Sequence, residues 1–373
     1  MYLTDNKDKR NAILIELFQN SSLKKQVWKT HVNNESLEEL SGLAQTAGYD
    51  VVEKISVKSN KINPRSFLGK GKIEEFKGLV QQHQADWVIF NEDLTPSQNR
   101  NIESSLKCTV IDRCALIIEI FAKHARTREA KTQVELARLN YMLPRLTGRW
   151  SHLSRQRGGI GLREVGEKQL EIDRRLIQKR IFKLKRELEN IDKGKKTQRK
   201  NRSNIFKAAL VGYTNAGKST LMNRLTGSSL LVENKLFATL DSTVRTLKIS
   251  GNYKILITDT VGLIDKLPHS LVASFKSTLD EIRYANLIII VIDISHQSYD
   301  KHINTTRKVL RELGVSDIPS FRVFNKIDLI QAKEELNNLK RRYPESIFVS
   351  GKNGSGMDLF KEKIKLSCKL LRE

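Results

Sequence analysis

The chain has 373 residues, 39% apolar, 29% charged and 6% aromatic, which is enough apolar material for packed cores and excludes global disorder. Sixty-six Lys and Arg against 42 Asp and Glu leave a formal charge of +24, so a polyanion, either nucleic acid or an anionic membrane surface, is the expected partner class. Three cysteines without CxxC spacing, an N-terminus without an apolar signal core, and a greasiest run of only Asn286–Ile294 together predict a soluble, cytoplasmic protein with reduced thiols.

The first part, residues 1–122, is neutral, with 16 basic and 16 acidic side chains. Ala12–Phe18 and Asp50–Val57 read as strands flanking a helix that carries Leu37, Leu40, Leu43 and Ala44 on one face. Ile73–Gln82 is predicted helical, Trp87–Phe90 a strand and Pro96–Leu106 helical again. Strands and helices in alternation predict a small α/β domain with a parallel sheet.

Residues 123–203 form the second predicted part, and a net +15 sits in residues 123–202. A helix is expected over Thr127–Leu143, stopped by Pro144. Then comes a loop from Thr147 to Gly166 with five glycines and Arg149, Arg155, Arg157 and Arg163. A long helix is predicted from Glu167 to Ile191, where Leu170, Ile177, Ile181, Leu184, Leu188 and Ile191 follow a heptad seam. Two antiparallel helices packed as a hairpin, tipped by a cationic loop, are therefore expected, followed by a polar basic linker over residues 193–203.

The third predicted part, residues 204–373, returns to strand–loop–helix order. Strands are expected at Ile205–Val211, Val244–Ser250, Lys254–Thr258, Leu287–Ile294, Ser320–Phe324 and Ser346–Val349. Helices are expected at Lys218–Thr226, Ser270–Tyr284, Tyr299–Leu313 and Met357–Leu371, which makes a doubly wound α/β domain.

Gly212, Tyr213, Thr214, Asn215, Ala216, Gly217, Lys218 and Ser219 match GxxxxGK[ST] between an apolar strand and a helix. Glycines let the backbone wrap a phosphate, and the helix N-terminus supplies donors to the anion. Lys218 would neutralise the β and γ phosphates, and Ser219 would coordinate Mg²⁺. Asp259, Thr260, Val261 and Gly262 end a strand, where the carboxylate can hold Mg²⁺ through its shell and Gly262 can offer its N–H to a γ-phosphate. Asn325, Lys326, Ile327 and Asp328 end another strand. A carboxylate at Asp328 can accept from both N1–H and the N2 amine of guanine, a donor pair that adenine lacks, so GTP rather than ATP is the expected nucleotide. Ser350, Gly351 and Lys352 follow the last strand as a backbone contact to the base. Phe237, Ala238, Thr239, Leu240 and Asp241 form the expected switch segment; spacing leaves Thr239 and Thr243 as rivals for the Mg²⁺. Leu263 stands where Ras-like enzymes carry a water-orienting Gln, so slow intrinsic hydrolysis is expected.

In this order the motifs resemble the HflX family of ribosome-associated GTPases, within the Obg-related group. GYTNAGKSTL, FATLD, DTVG followed by Leu267–His269, and NKID carry the resemblance in the third part. SFLGKGK (66–72), SQNRNIE (97–103), residues 111–146 and GEKQLEIDRR (166–175) carry it upstream, so it covers nearly the whole chain. The resemblance implies Ser219 and Thr239 as the Mg²⁺ ligands, Lys218, Thr239 and Gly262 as the residues acting in catalysis, and 212–219, 237–241, 259–262, 325–328 and 350–352 as GTP contacts. It also implies binding to the ribosome, chiefly the large subunit and its RNA, with GTP-dependent splitting of stalled or idle ribosomes under stress. No DNA partner and no stable membrane insertion are implied, and the chain is expected to act as a monomer. Ser350-Gly351 departs from the more usual Ser-Ala, GGIGLREVGE is a looser Gly-rich run, and the end at Glu373 leaves little room for a separate C-terminal domain. The rival readings are an RNA-binding assembly or remodelling factor licensed by GTP, and a hairpin lying on an anionic membrane.

Overall fold

The computed structural model describes residues 10–18, 35–58, 63–148, 161–200, 205–228, 235–250, 253–265 and 281–371. It divides into two compact units, one of Met1–Lys123 with Val134–Lys185 and one of His124–Gln133 with Arg186–Glu373.

In the first unit β1 (Asn11–Phe18), β2 (Asp50–Lys58), β3 (Trp87–Phe90) and β4 (Thr109–Asp112) form a wholly parallel sheet in the order β2-β1-β3-β4. Parallel neighbours need helical crossovers, here α1 (Glu35–Ala47), α2 (Lys70–Gln82) and α3 (Pro96–Leu106). Leu37, Leu40, Leu43 and Ala44 are the buried face of α1, as their spacing requires. Thr95 begins α3 with a capping box to Gln98 and Pro96 in the first turn, and Lys107 ends it in the left-handed region at φ 55°. Ile13, Ile15, Val88, Phe90, Phe76 and Ile102 belong to one core.

Strand β4 and the helix α4 (Arg113–His124) are absent from the sequence reading. TVIDRCALIIEIF is a nearly unbroken apolar run without Gly or Pro, and its period does not separate a short buried strand from a buried helix. Asp112 marks the border: its Oδ1 accepts from Ala115 N at 2.8 Å and starts α4.

Helix α5 (Arg128–Met142) runs into a short 3₁₀ turn, Leu143–Gly148, and α6 spans Gly161–Lys200. The ion pair of Glu135 with Arg180, 2.8 Å long in the first unit, and that of Arg128 with Glu187, 2.7 Å long in the second, follow an antiparallel register. Ile181 and Leu184 of the heptad seam are buried, and Leu170, Ile177, Leu188 and Ile191 are half-buried. The helix corrects two expectations. It starts six residues before Glu167, inside the expected loop, and it continues through residues 193–200, where a linker is predicted. Lys, Gln and Arg are good helix formers, so a basic run lacking Pro is a helix when something holds its charge. Here Lys195 pairs with Glu129 at 2.5 Å. Arg149, Arg155 and Arg157 lie outside the described residues.

In the second unit β5 (Phe206–Gly212), β6 (Thr243–Ser250), β7 (Tyr253–Asp259), β8 (Leu287–Asp293), β9 (Ser320–Asn325) and β10 (Ile347–Phe348) make a sheet in the order β10-β9-β8-β5-β7-β6. All neighbours are parallel except β6 with β7. The helices α7 (Lys218–Thr226), Tyr299–Glu312, Lys333–Arg342 and Met357–Leu370 lie among the strands in the chain. Most of the predicted helix Ser270–Tyr284 falls outside the described residues. Strand β5 is flanked by β7 and β8, whose connections run opposite ways, so a crevice opens at its carboxyl end. Gly212, Asp259, Asp293 and Asn325 are the last residues of β5, β7, β8 and β9.

Candidate nucleotide site

Strand β5 ends in a loop whose last residue, Gly217, has φ +85° and precedes α7. A side chain here would be strained and also blocked, since a Cβ would stand 2.3 Å from Asn325 Nδ2. The first turn of α7 therefore opens onto the crevice with its backbone donors available to an anion. Lys218 is buried, and its ammonium donates to the carbonyls of Gly212 (3.1 Å) and Tyr213 (2.9 Å). Burial pushes this ammonium down to about 8, against the opposing pull of Asp259.

Asp259 is fully buried at the end of β7, and burial holds its carboxyl above the usual range; Lys218, the Ser219 hydroxyl and the Thr260 N–H oppose that shift. Ser219 Oγ donates to Asp259 Oδ2 at 2.5 Å and lies 2.8 Å from Thr239 Oγ1. Two hydroxyls and a carboxylate thus converge, and Asp259 Oδ1 is buried without a hydrogen-bond partner. An all-oxygen set of this kind, with an orphaned acceptor, fits a hard divalent cation such as Mg²⁺. Thr243 instead begins β6, with its hydroxyl 3.5 Å from the Asp241 carbonyl, so of the two threonines it is Thr239 that stands beside Ser219.

The switch segment is tied to the phosphate loop before Thr239 is reached. Phe237 is buried at φ 58°, and its N–H donates to Thr214 Oγ1 at 2.8 Å. Gly262 approaches the same loop so closely that a Cβ would lie 2.7 Å from Thr214 Cα. Leu263 is 1% exposed, and its backbone pairs with the loop through Leu263 N to Gly212 O (3.0 Å) and Thr214 N to Leu263 O (2.7 Å). Tyr213 stacks on His302 with ring centroids 3.8 Å apart, and its hydroxyl accepts from Asp265 N at 2.9 Å. Thr214 and Tyr213 are therefore latches for the two segments that follow Thr226 and Asp259, a function that loop spacing alone does not reveal.

At the far end of the crevice Asn325 is buried and bridges two loops. Its Nδ2 donates to Ala216 O (2.9 Å) and its Oδ1 accepts from Gly351 N (3.0 Å). Lys326 adopts φ 66° and pairs with Asp293 at 2.6 Å, which fixes the turn that presents Asp328. Ser350 Oγ donates to Asp328 Oδ1 at 2.5 Å and orients that carboxylate. Gly351 packs where a Cβ would meet Thr220 and Leu221 side chains at 3.2 Å, so glycine relieves a tight approach there. Ile327 N donates to Val349 O, and the Lys352 carbonyl accepts from Arg224.

A cleft gathers Thr214, Asn215, Gly217, Lys218, Ser219, Phe237, Ala238, Thr239 and Gly262. Thr220 and Lys235 line it as well; Thr220 stands one place beyond the GxxxxGK[ST] consensus and Lys235 lies in no motif, so neither is expected as a site residue. Four predicted residues serve elsewhere: Thr260 donates its hydroxyl to Leu210 O, Val261 and Leu240 are buried, and the Asp241 carboxylate binds Arg126 and Thr127.

A mostly parallel sheet with a phosphate loop on a central strand, two latched segments beside that loop and the NKID motif at the end of β9 defines a P-loop GTPase domain. Residues 207–326 match the family model described as 50S ribosome-binding GTPase, 34–122 that of the GTP-binding GTPase N-terminal, and 124–202 that of the GTP-binding GTPase Middle Region. The chain is 52% identical over 294 residues to GTPase HflX of Flavobacterium psychrophilum, covering 79% of this chain and 71% of that one. It is 40% identical over 383 residues to GTPase HflX of Treponema denticola, covering 98% of each. Among solved structures, the SsGBP and GDP complex is 28% identical with a TM-score of 0.52, covering 97% of this chain and 99% of that one. The chain belongs to the HflX family and is a GTP hydrolase. Among the described residues no helix is long and apolar enough to cross a membrane.

Proposed function

We propose that the chain is a cytoplasmic, ribosome-associated GTPase whose GTP state binds the large subunit and splits ribosomes or keeps their subunits apart. The observation that carries this reading is the anchored switch: Thr239 stands on Ser219 beside Asp259, so a γ-phosphate and its cation would be sensed directly. The match of residues 207–326 to a 50S ribosome-binding GTPase supports the partner, and the basic segment 123–202 supplies the charge for ribosomal RNA.

In this reading the first turn of α7 and Lys218 bind the β and γ phosphates, and a phosphate beside the buried ammonium offsets the burial that destabilises its charge. Ser219 and Thr239 would hold Mg²⁺, with Asp259 orienting them; the cation supplies charge neutralisation at the phosphate oxygens. Gly262 offers its N–H to the γ-phosphate. Asp328, oriented by Ser350, accepts both guanine donors, and Asn325 keeps the base loop in register with the phosphate loop. Leu263 is packed inward and offers no hydrogen bond to the attacking water, so basal turnover is slow and the ribosome completes the site.

The test is GTP turnover alone, with ribosomes and with isolated large subunits, at two salt concentrations, together with subunit profiles on gradients. Stimulation that falls at high salt, with ribosomes shifting to free subunits in the GTP state, is the expected result. Equal subunit affinity in the GTP and GDP states would sink the switch, and absence of stimulation by either particle would favour an RNA-remodelling factor.

A further inference from the structure

The helix α5 does not begin on its own terms. Its N-terminus is bound by a carboxylate from the switch segment, 115 positions further along the chain. Asp241 Oδ2 accepts from the N–H groups of Arg126 (3.0 Å) and Thr127 (3.3 Å), and Asp241 Oδ1 accepts from the Thr127 hydroxyl. Thr127 Oγ1 in turn accepts from Ala130 N at 3.1 Å, which makes Thr127 the N-cap of α5 and Asp241 the acid behind the cap. A carboxylate at this place satisfies donors that the helix cannot use and complements its dipole. All of these groups belong to the second unit.

The same short segment holds the nucleotide latch. Phe237 is fastened to Thr214, Thr239 to Ser219, and Asp241 lies two residues beyond. Leu240, 2% exposed between them, leaves little slack in the backbone. The first turn of α5 is fastened in turn to α6 by Arg128 with Glu187 and by Glu129 with Lys195. The geometry points to Asp241 as the residue through which the nucleotide state is passed to the basic helical arm: the cap is made while Thr239 is held, and is released with it. This rests on the proposed role of Thr239 as a γ-phosphate and cation sensor. Reciprocity follows, since any partner that fixes the start of α5 favours the ordered switch, which gives a ribosome-bound arm a route to the catalytic segment.

Thr127 lies outside the nucleotide cleft, so it is the residue to change in the full chain. Amide hydrogen exchange of the peptide around residues 126–135 is compared with a non-hydrolysable GTP analogue plus Mg²⁺ and with GDP. The wild type is expected to exchange about fivefold more slowly in the GTP-analogue state, the size of one helix cap. Thr127→Val, which loses the hydroxyl donor and the cap but keeps the two backbone donors to Asp241, should clearly reduce that difference while its GDP affinity stays at the wild-type value. Thr127→Ser, which keeps the hydroxyl, should restore the difference. Equal exchange in both nucleotide states of the wild type, or a difference undiminished in Thr127→Val, would overturn the proposal and leave a static cap. Ribosome stimulation is read on the same samples. Its absence with the exchange difference intact would remove the ribosomal function and leave the coupling standing, and the converse result would do the opposite.

Discussion

The two units carry sheets built on the same rule, parallel strands joined by helices, and they treat the carboxyl ends of those strands in opposite ways. In the first unit the ends are closed by paired side chains. Arg113, 1% exposed, donates to Asn91 Oδ1 at 2.8 Å and pairs with Glu39, and Asn91 Nδ2 donates to Glu16 at 2.9 Å. Asp112 is fully buried and pairs with Arg145 at 3.0 Å, whose guanidinium also lies 3.5 Å from the Tyr141 ring centroid. In the second unit the ends are backbone loops with glycine at the close approaches, a lysine leaning on carbonyls, and a carboxylate oxygen at Asp259 that nothing bonds. One topology therefore yields an end sealed by ion-paired side chains in one unit and an end of backbone loops in the other.

The comparison is most easily broken at its charged centres. Arg113→Ala should destabilise the first unit by about 3–5 kcal/mol, because Glu39 would keep a half-buried charge without its partner. A denaturation midpoint shift with GDP affinity unchanged is the expected pattern; weakened GDP binding would mean the sealed end is not merely a scaffold. Lys218→Ala should reverse that pattern, lowering GTP turnover about 10²–10³-fold with the fold intact, as measured by phosphate release and circular dichroism. Asp328→Asn should weaken GDP by about 10–100-fold through loss of hydrogen bonds to a charged acceptor. The same change should improve xanthine nucleotides, whose C2 carbonyl can accept from the new amide, and competition binding would detect the exchange of preference.

The smallest effect is a proton. Free Lys218 sits at about 8, and a phosphate beside it raises that value, so GDP binding near pH 9 should take up close to one proton and binding near pH 7 almost none. Calorimetry in two buffers of different ionisation enthalpy reads this directly. Lys218→Ala should remove the pH 9 uptake, and uptake that persists in the variant would assign it to another group.

Much of the nucleotide site is legible along the chain because its chemistry is local. Phosphate is bound by consecutive backbone N–H groups at a strand–helix junction, so Gly212–Ser219 announces itself, and Asp328 stands at a strand end that alternation in hydrophobicity already marks. Strand β4 and the continuation of α6 to Lys200 are hidden for the opposite reason. An apolar run without a breaker has no period to read, and a basic run resembles a linker until Glu129 meets Lys195.

By itself, the sequence determined the α/β class of both sheets, the GxxxxGK[ST] and NKID motifs at strand ends and the concentration of charge in residues 123–202, all of which are contiguous patterns. Only the tertiary structure decided that Thr239 rather than Thr243 meets Ser219, that Thr214 and Tyr213 latch Phe237 and Asp265, and that Asp241 caps α5. Each of those is a hydrogen bond between side chain and backbone, or between two side chains, across tens of residues. Such a bond depends on where the folded backbone brings its donor and acceptor, and neither residue's type nor its spacing carries that information.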